Sequence, residues 1–251
     1  MAVPISVQLY SAREAMGVDT LGTLEKIASF GYAGVEPAGF YDLTPADFRK
    51  AVEDLGMKIS SQHGPNVTAE NFDEVVECSK ILGVDLASHM GFGGGTSMDD
   101  LKAEADVINA MCDKLETVGM TMFMHNHDAE FSTKFDGKRL FDVLFEMCPK
   151  LQTETDIYWV KVGESDPVEV IKQYASRMPL MHVKDGMVDP KFPMKPVGQG
   201  VIDIAGCLKA AEGGAIRWAV VELDEAEGDM MEALKQSCEF LTGNGLALGT
   251  K

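Results

Sequence analysis

Eight short β-like runs alternate with eight helical patterns along the chain, which predicts an α/β protein of the (β/α)8 TIM-barrel class. The 251 residues suit one such barrel, and no low-complexity linker interrupts them, so we expect residues 1–251 to form a single TIM-barrel domain. A doubly wound open sheet could also hold eight strands. It would usually carry a glycine-rich phosphate loop after its first strand, and LYSAREA does not match that pattern.

The predicted strands are short and rich in apolar and β-branched residues, and turn or helix signals separate them. In chain order they are ISVQLY (5–10), YAGVEP (32–37), MKISSQH (57–63), VDLASHM (84–90), MTMFMHNH (120–127), LQTETDIYW (151–159), PLMHVKD (179–185) and IRWAVVELD (216–224).

A helical pattern follows each strand. The patterns are TLGTLEKIASFG, LTPADFRKAVEDLG, ENFDEVVECSKILG, a long helix from about Ser97 to Gly119, GKRLFDVLFEM, DPVEVIKQYASRM, IDIAGCLKAAEG and DMMEALKQSCEFLTG. Thr44 is a suitable N-cap because Pro45 follows it at the first helical position. The glycine-rich stretch GFGGGTS (91–97) follows the fourth strand and is expected to be a flexible loop at the active-site end.

Composition excludes several classes of protein. A net charge of −18 argues against a nucleic-acid partner, because phosphate binding needs a basic surface. No apolar run approaches the roughly 18 residues of a membrane-spanning helix, so no membrane association is expected. The five cysteines are scattered and form no CxxC motif, which favours a reducing compartment and a cytoplasmic location.

Polar residues concentrate at the predicted strand ends. All five histidines fall there, and none falls in a helical pattern: His63, His89, His125, His127 and His182. Carboxylates show the same bias: Glu36, Asp156, Glu222 and Asp224. Because the C-terminal ends of barrel strands build the active site, these side chains are candidate functional residues.

The fifth to eighth strands offer a histidine or glutamate, an aspartate, a histidine and a glutamate to one central point. Mixed oxygen and nitrogen ligands suit one divalent cation, with Mn²⁺, Mg²⁺, Co²⁺ and Zn²⁺ all compatible. Such an ion can polarise a carbonyl and acidify the adjacent proton, which a neighbouring carboxylate or histidine can then move.

Motifs along nearly the whole chain resemble the xylose-isomerase-like barrel superfamily, in particular its sugar phosphate isomerase/epimerase group and an HNHxxEF subgroup. They are QLYSAR, GYAGVEPAGFY, HNHDAEF, TDIYWVKVGESDP, MHVKDG, GQGVID and VVELDE, in that order. The resemblance implies a metal-dependent isomerase or epimerase of a sugar or cyclitol that acts through an enediolate. It also implies that homo-oligomers are common.

Carried over to this chain, the resemblance implies metal ligands at Asp156, His182 and Glu222. Relatives usually place the fifth-strand ligand, a glutamate, where this chain has His125. Either His125 or Glu130 could fill the position, and Glu130 is favoured because a carboxylate preserves the charge of the site. In the epimerases, the fifth- and eighth-strand glutamates act as the acid–base pair.

The implied catalytic residues are Glu130, Glu222, His125 and Lys184, and the implied substrate contacts are Glu36, His63, His127 and Trp159. GQGVID is expected to form a turn in which Gly198 and Gly200 let the backbone approach the ligand, with Asp203 capping the next helix.

Other functions are compatible with parts of this pattern. A keto-sugar or keto-cyclitol lyase or hydrolase, of the inosose dehydratase-like or 3-keto-glycoside-cleaving kind, would use the same metal site. DNA repair on the same barrel would need a three-zinc cluster, more histidines and a basic face. A non-catalytic sugar-binding protein would be expected to have a broken set of ligands, whereas Asp156, His182 and Glu222 are intact.

Overall fold

A computed structural model of the protein describes residues 2–89 and 97–250, which adopt the predicted TIM-barrel fold. Its eight barrel strands, called the first to eighth strands below, are Val3–Gln8, Gly34–Glu36, Lys58–Ile59, Leu86–His89, Thr121–His125, Gln152–Asp156, Leu180–Val183 and Trp218–Val221. Outside the barrel, Lys134–Phe135 and Lys138–Arg139 form a small antiparallel hairpin, and Ala247–Leu248 pairs with the first strand.

The eight strands pair in parallel in the order third, second, first, eighth, seventh, sixth, fifth and fourth. The chain after the third strand closes toward the fourth through Ser88. Gly64 N donates a hydrogen bond to Ser88 Oγ at 2.6 Å, and Val67 N donates to Ser88 O at 3.3 Å. All strand C-termini therefore open at the same end of the barrel.

Helices surround the strands. They are Arg13–Val18, Thr20–Phe30, Pro45–Asp54, Phe72–Leu82, Met98–Glu116, Ala129–Ser132, Leu140–Met147, Ile157–Val162, Pro167–Tyr174, Ile204–Ala210 and Met230–Gly243, with a 3-10 turn at Ala175–Arg177. Thr44 caps its helix as predicted, and Ser97 forms a capping box with Asp100 at the start of the longest helix. None of the described helices is long and apolar enough to cross a membrane. Residues 91–96 of the predicted glycine-rich loop lie outside the described residues.

The sixth strand ends earlier than predicted. Residues 157–159 were expected to continue the strand, but the helix Ile157–Val162 begins directly after Asp156. The Asp156 side chain explains this, because its Oδ1 accepts hydrogen bonds from the backbone N–H groups of Tyr158 and Trp159, both at 3.0 Å. The carboxylate thus satisfies N–H groups that the first helical turn leaves unpaired.

Side-chain alternation divides the barrel interior into two layers. Near the N-terminal ends of the strands, Leu86, Phe123 and Leu180 form a buried apolar cluster against Trp218. Two residues further along the fifth and seventh strands, the same faces carry His125 and His182. The apolar layer therefore closes the barrel beneath a polar one, and the polar layer faces the end at which the C-termini of the strands open.

Asp185, just after the seventh strand, organises the GQGVID segment. Its buried carboxylate accepts hydrogen bonds from the backbone N–H groups of Gly186, Gly198, Gly200 and Ile202, at 2.9 to 3.1 Å. A Cβ added at Gly200 would lie 2.1 Å from Asp185 Oδ1, and one added at Gly198 would lie 2.4 Å from the Phe240 ring. These glycines therefore allow close approach to Asp185 and Phe240, and the approach of their backbone to a ligand stays a prediction.

Replacing Asp185 with alanine should destabilise the fold strongly, because several buried N–H groups would lose their shared acceptor. We expect the free energy of unfolding, measured by urea denaturation, to fall by at least about 3 kcal/mol. The control is Asp203→Ala, which removes an exposed N-cap that accepts from Gly206 N at 2.9 Å. That loss should be about 1 kcal/mol, and equal losses in the two variants would contradict this interpretation.

Candidate metal centre and active site

The polar layer of the barrel contains two groups of buried side chains that could each hold a cation and that share His182. We call His125, Asp156, His182 and Glu222 the first group, and Glu36, His63, Glu154 and His182 the second group. Within each group, one ligand atom from every residue lies within 4.8 Å of the others. Carboxylate and imidazole donors of this kind are typical of divalent-cation sites.

The first group comes from the ends of the fifth to eighth strands. His125 Nε2 lies 3.4 Å from Asp156 Oδ2, and His182 Nδ1 lies 2.8 Å from Glu222 Oε2. Parallel pairing places Asp156 directly opposite His182 in the ladder. His125 is 1% exposed, yet its Nδ1 has no hydrogen-bond partner among the described residues.

Lys184 lies beside the first group and carries a buried positive charge. Its Nζ is 2.8 Å from Glu222 Oε2, 3.2 Å from Asp156 Oδ2 and 3.1 Å from Asp224 Oδ2. Burial alone would lower the pKa of this amine, but the three carboxylates outweigh it and raise the pKa. Lys184 is therefore a fixed ammonium beside the first group.

The second group lies on the other side of the His182 ring and draws on the second, third and sixth strands. His63 Nδ1 is 3.0 Å from Glu154 Oε2 and 3.2 Å from Glu36 Oε1. His182 Nε2 is 2.9 Å from Glu36 Oε1 and 3.1 Å from Glu154 Oε1. Glu36 and Glu154 are completely buried.

Burial and neighbouring charges give the three central imidazoles different pKa values. Burial lowers the pKa of His125 to about 3, and the nearby His182 and His63 add to this effect. For His63, burial acts in the same direction, but hydrogen bonds to Glu154 and Glu36 outweigh it and raise the pKa to about 10. Burial is likewise outweighed at His182, where Glu154, Glu222 and Glu36 hold the pKa well above its usual value. His125 is thus the imidazole that stays neutral without a cation.

The pKa values of the buried carboxylates differ as well. Burial alone would raise each pKa, but His182 holds the pKa of Glu36 well below its usual value. Lys184 and His182 do the same for Glu222, and Lys184 and His125 lower the pKa of Asp156. At Glu154, burial and the adjacent Glu36 charge raise the pKa.

Trp159 lies beside Lys184 and Lys191 and is 6% exposed. Its ring lies 5.5 Å from Lys184 Nζ, 5.3 Å from Lys191 Nζ and 5.8 Å from the ring of the exposed His127. Phe192, from the chain after the seventh strand, packs edge-on against it at 6.0 Å. Trp159 and His127, both predicted substrate contacts, therefore lie together at the mouth of the barrel.

Two predicted residues lie apart from the first group. Glu130 lies on the short helix Ala129–Ser132, and its Oε2 accepts a hydrogen bond from His127 N at 2.9 Å. His89 ends the fourth strand, and its Nε2 lies 3.0 Å from Glu104 on the helix Met98–Glu116. The position of His89 at a strand end therefore reflects barrel–helix packing, because strand alternation turns it opposite to Ser88.

Glu154, which contacts both histidines of the second group, was not predicted from the sequence. The signal was available, because Glu154 precedes Asp156 by two residues on the same strand, and period-2 alternation puts both on one face. Gln8 was missed for a different reason. Its Nε2 donates to Glu36 Oε1 at 2.5 Å, a pairing that depends on the register of the first and second strands.

The chain belongs to the xylose isomerase-like TIM barrel family, whose model matches residues 24–243. A sugar phosphate isomerase/epimerase from Parabacteroides distasonis is similar in structure, with 25% identity, a TM-score of 0.77, and coverage of 98% of this chain and 96% of that one. No curated protein matches the sequence.

Two further solved structures share the fold at lower identity. An L-ribulose 3-epimerase has 15% identity and a TM-score of 0.70, with 98% of this chain and 95% of that chain covered. A protein described as the probable 3-DHS dehydratase AsbF of Bacillus anthracis has 13% identity and a TM-score of 0.75, with 95% and 98% covered.

Replacing Lys184 with methionine should destabilise the protein when divalent cations are chelated, because three carboxylates would lose their shared ammonium. We expect a loss of about 3–5 kcal/mol in the free energy of unfolding, measured in EDTA. The control is Lys150→Met, which removes an exposed lysine that pairs with Asp113 and Glu116. Its unfolding midpoint should stay close to that of the wild type, and a midpoint just as close for Lys184→Met would show that the buried charges do not depend on Lys184.

Proposed function

We propose that this protein is a divalent-metal-dependent isomerase or epimerase of a sugar or cyclitol, which moves a proton next to a carbonyl. The observation that carries the proposal is the convergence of His125, Asp156, His182 and Glu222 beside the buried ammonium of Lys184. Membership of the family and the similarity to a sugar phosphate isomerase/epimerase support the same class of reaction.

The residues of the first group fit a divalent cation. Burial keeps His125 neutral, as a metal ligand must be, and its Nδ1 and Nε2 make no hydrogen bond to the described part of the chain. Asp156 and Glu222 supply two anionic oxygens, and His182 supplies a second imidazole. Mn²⁺, Mg²⁺, Co²⁺ and Zn²⁺ remain compatible with this donor set.

We assign the fifth-strand ligand to His125 and not to Glu130. His125 Nε2 lies 3.4 Å from Asp156 Oδ2, within the first group, whereas the Glu130 carboxylate accepts from the backbone of His127. The sequence favoured Glu130 on the ground of charge. Lys184 lies within 3.2 Å of two carboxylates of this group, so charge alone does not select a third.

A bound cation would polarise the substrate carbonyl and acidify the adjacent C–H. Glu222 is our candidate for the group that accepts that proton, because its carboxylate lies at the open end of the barrel next to Lys184. Lys184 is suited to donate a hydrogen bond to a substrate oxygen that gains negative charge. Trp159 offers an aromatic face to the sugar at the rim.

The identity of the fifth-strand ligand bears on stereochemistry. Epimerisation removes a proton from one face of a carbon and returns one to the opposite face, which paired carboxylates can accomplish. Here the first group has a carboxylate on the eighth strand and a histidine on the fifth, so Glu222 lacks a carboxylate counterpart at His125. Proton transfer between adjacent carbons on one face needs a single base, which favours isomerisation within the proposed class.

Metal content tests the ligand assignment. Asp156→Asn should bind one divalent cation per chain fewer than the wild type after loading with Mn²⁺ and removal of excess metal. Asparagine preserves the N-cap that Asp156 Oδ1 provides to Tyr158 and Trp159, so the fold should be retained. His125→Gln should show the same loss by elemental analysis.

The matched control for His125→Gln is Glu130→Gln, which alters the other candidate ligand. We expect Glu130→Gln to bind as much metal as the wild type. A loss in Glu130→Gln together with full occupancy in His125→Gln would reverse the assignment.

Solvent exchange tests the reaction. The Mn²⁺-loaded protein should incorporate deuterium from D₂O next to the carbonyl of a substrate in a panel of keto-sugars and inososes, detected by NMR. Incorporation with conversion to an isomer or epimer supports the proposal, and Glu222→Gln should reduce the exchange rate by about 10²-fold or more.

Elimination of water or of an alcohol from the same panel would instead indicate the lyase alternative. A keto-sugar or keto-cyclitol lyase needs the same proton abstraction but a substrate with a leaving group β to the carbonyl. If no substrate of the panel shows either exchange or elimination, both reactions are contradicted.

A further inference from the structure

We propose that the second group, formed by Glu36, His63, Glu154 and His182, is a second divalent-cation site. The proposal does not depend on which reaction the protein catalyses, although the site shares His182 with the first group. Zn²⁺ is the most suitable cation, because two imidazoles and two carboxylates can provide a closed four-coordinate set.

Donor atoms of the four residues face one another, with Glu154 presenting Oε2 to His63 and Oε1 to His182. The distances that join each histidine nitrogen to the two carboxylates are 3.0 and 3.2 Å for His63 Nδ1, and 2.9 and 3.1 Å for His182 Nε2. A tetrahedral ion with metal–ligand bonds of about 2.1 Å separates its ligands by roughly 3.4 Å. An expansion of a few tenths of an ångström would therefore seat an ion between side chains that already face one another.

Hydrogen bonds account for one contact of each nitrogen, because His63 Nδ1 bonds to Glu154 Oε2 and His182 Nε2 bonds to Glu36 Oε1. Each nitrogen carries at most one hydrogen, yet each lies almost equally far from oxygens of two different carboxylates. Those two bonds leave the second contact of each nitrogen unexplained, and Glu154 Oε1 has no hydrogen-bond partner among the described residues. A central cation would give Glu154 Oε1 a partner and would bind both nitrogens and both carboxylates at once.

The surroundings of Glu36 resemble the outer shell of a metal site. Gln8 Nε2 donates to Glu36 Oε1, and Ser61 Oγ donates to Glu36 Oε2. Both donors are buried, so they fix the orientation of the carboxylate. Outer hydrogen bonds of this kind orient ligating side chains and contribute to metal affinity.

The two groups can be occupied together because His182 uses opposite ring nitrogens. Its Nδ1 faces Glu222 of the first group, and its Nε2 faces Glu36 and Glu154 of the second. With both sites filled, the ring would act as a bridging imidazolate.

Charge balance is consistent with two cations. The two groups and Asp224 contain five carboxylates, and Lys184 is the ammonium that contacts three of them. Five carboxylate charges and one ammonium give a net charge of −4, and the bridging imidazolate of His182 makes it −5. Two divalent cations offset four of these five charges, so the doubly occupied layer carries a net charge of −1.

The test is the number of Zn²⁺ ions bound by the full chain. The purified protein would be stripped with a chelator, titrated with Zn²⁺ by calorimetry, and analysed for metal after gel filtration. We expect two ions per chain in the wild type, and one in each of His63→Asn and Glu154→Gln. Asp156→Asn should also bind one ion, through the second group, and Asp156→Asn/Glu154→Gln should bind none.

One ion per chain in the wild type, with the same count in His63→Asn and Glu154→Gln, would overturn the proposal. Glu36, His63 and Glu154 would then serve to orient His182. The wild-type titration does not depend on how the variants fold. A different result would show that the first group is not a metal site, because Asp156→Asn would then bind as many ions as the wild type.

Discussion

The cost of removing charged groups from water dominates the organisation of this barrel. Glu36, Glu154 and Asp156 are completely buried, and an unpaired carboxylate in such a place costs several kcal/mol. Histidines and a lysine from neighbouring strands offset that cost, because they pair with these carboxylates. The identity of the residues at the C-terminal strand ends therefore follows largely from the need to place positive charge beside these carboxylates.

Parallel pairing makes this arrangement possible. Because the ladder sets Asp156 opposite His182, and His125 opposite Glu154, acids and imidazoles alternate between adjacent strands. The apolar cluster of Leu86, Phe123 and Leu180 closes the barrel below them and keeps water from entering from that end. Electrostatic interactions in the layer are stronger as a result, both between its own residues and with any cation or substrate that enters.

The sequence predicted the barrel because strand and helix periodicity is local, and it predicted the clustering of histidines because strand ends converge in this fold. It could not predict that residues 157–159 form a helix, since that depends on Asp156 capping the first turn. The role of Gly200 could not be predicted from the sequence either. It depends on Asp185, fifteen residues earlier in the chain, whose carboxylate binds the backbone of this segment. Such contacts depend on three-dimensional proximity, which spacing in the sequence does not encode.

The histidine at position 125 gains a physical explanation from this network. A glutamate there would add another buried negative charge beside Asp156 and Glu222. Lys184 already pairs with both of these carboxylates and with Asp224. A neutral imidazole supplies a donor atom to the first group without adding to that charge. With histidine at position 125 and not glutamate, the fifth strand offers the first group no carboxylate that could exchange protons with a substrate. In the proposed reaction, His125 would therefore determine both the electrostatic balance of the buried layer and which proton transfers the site can perform.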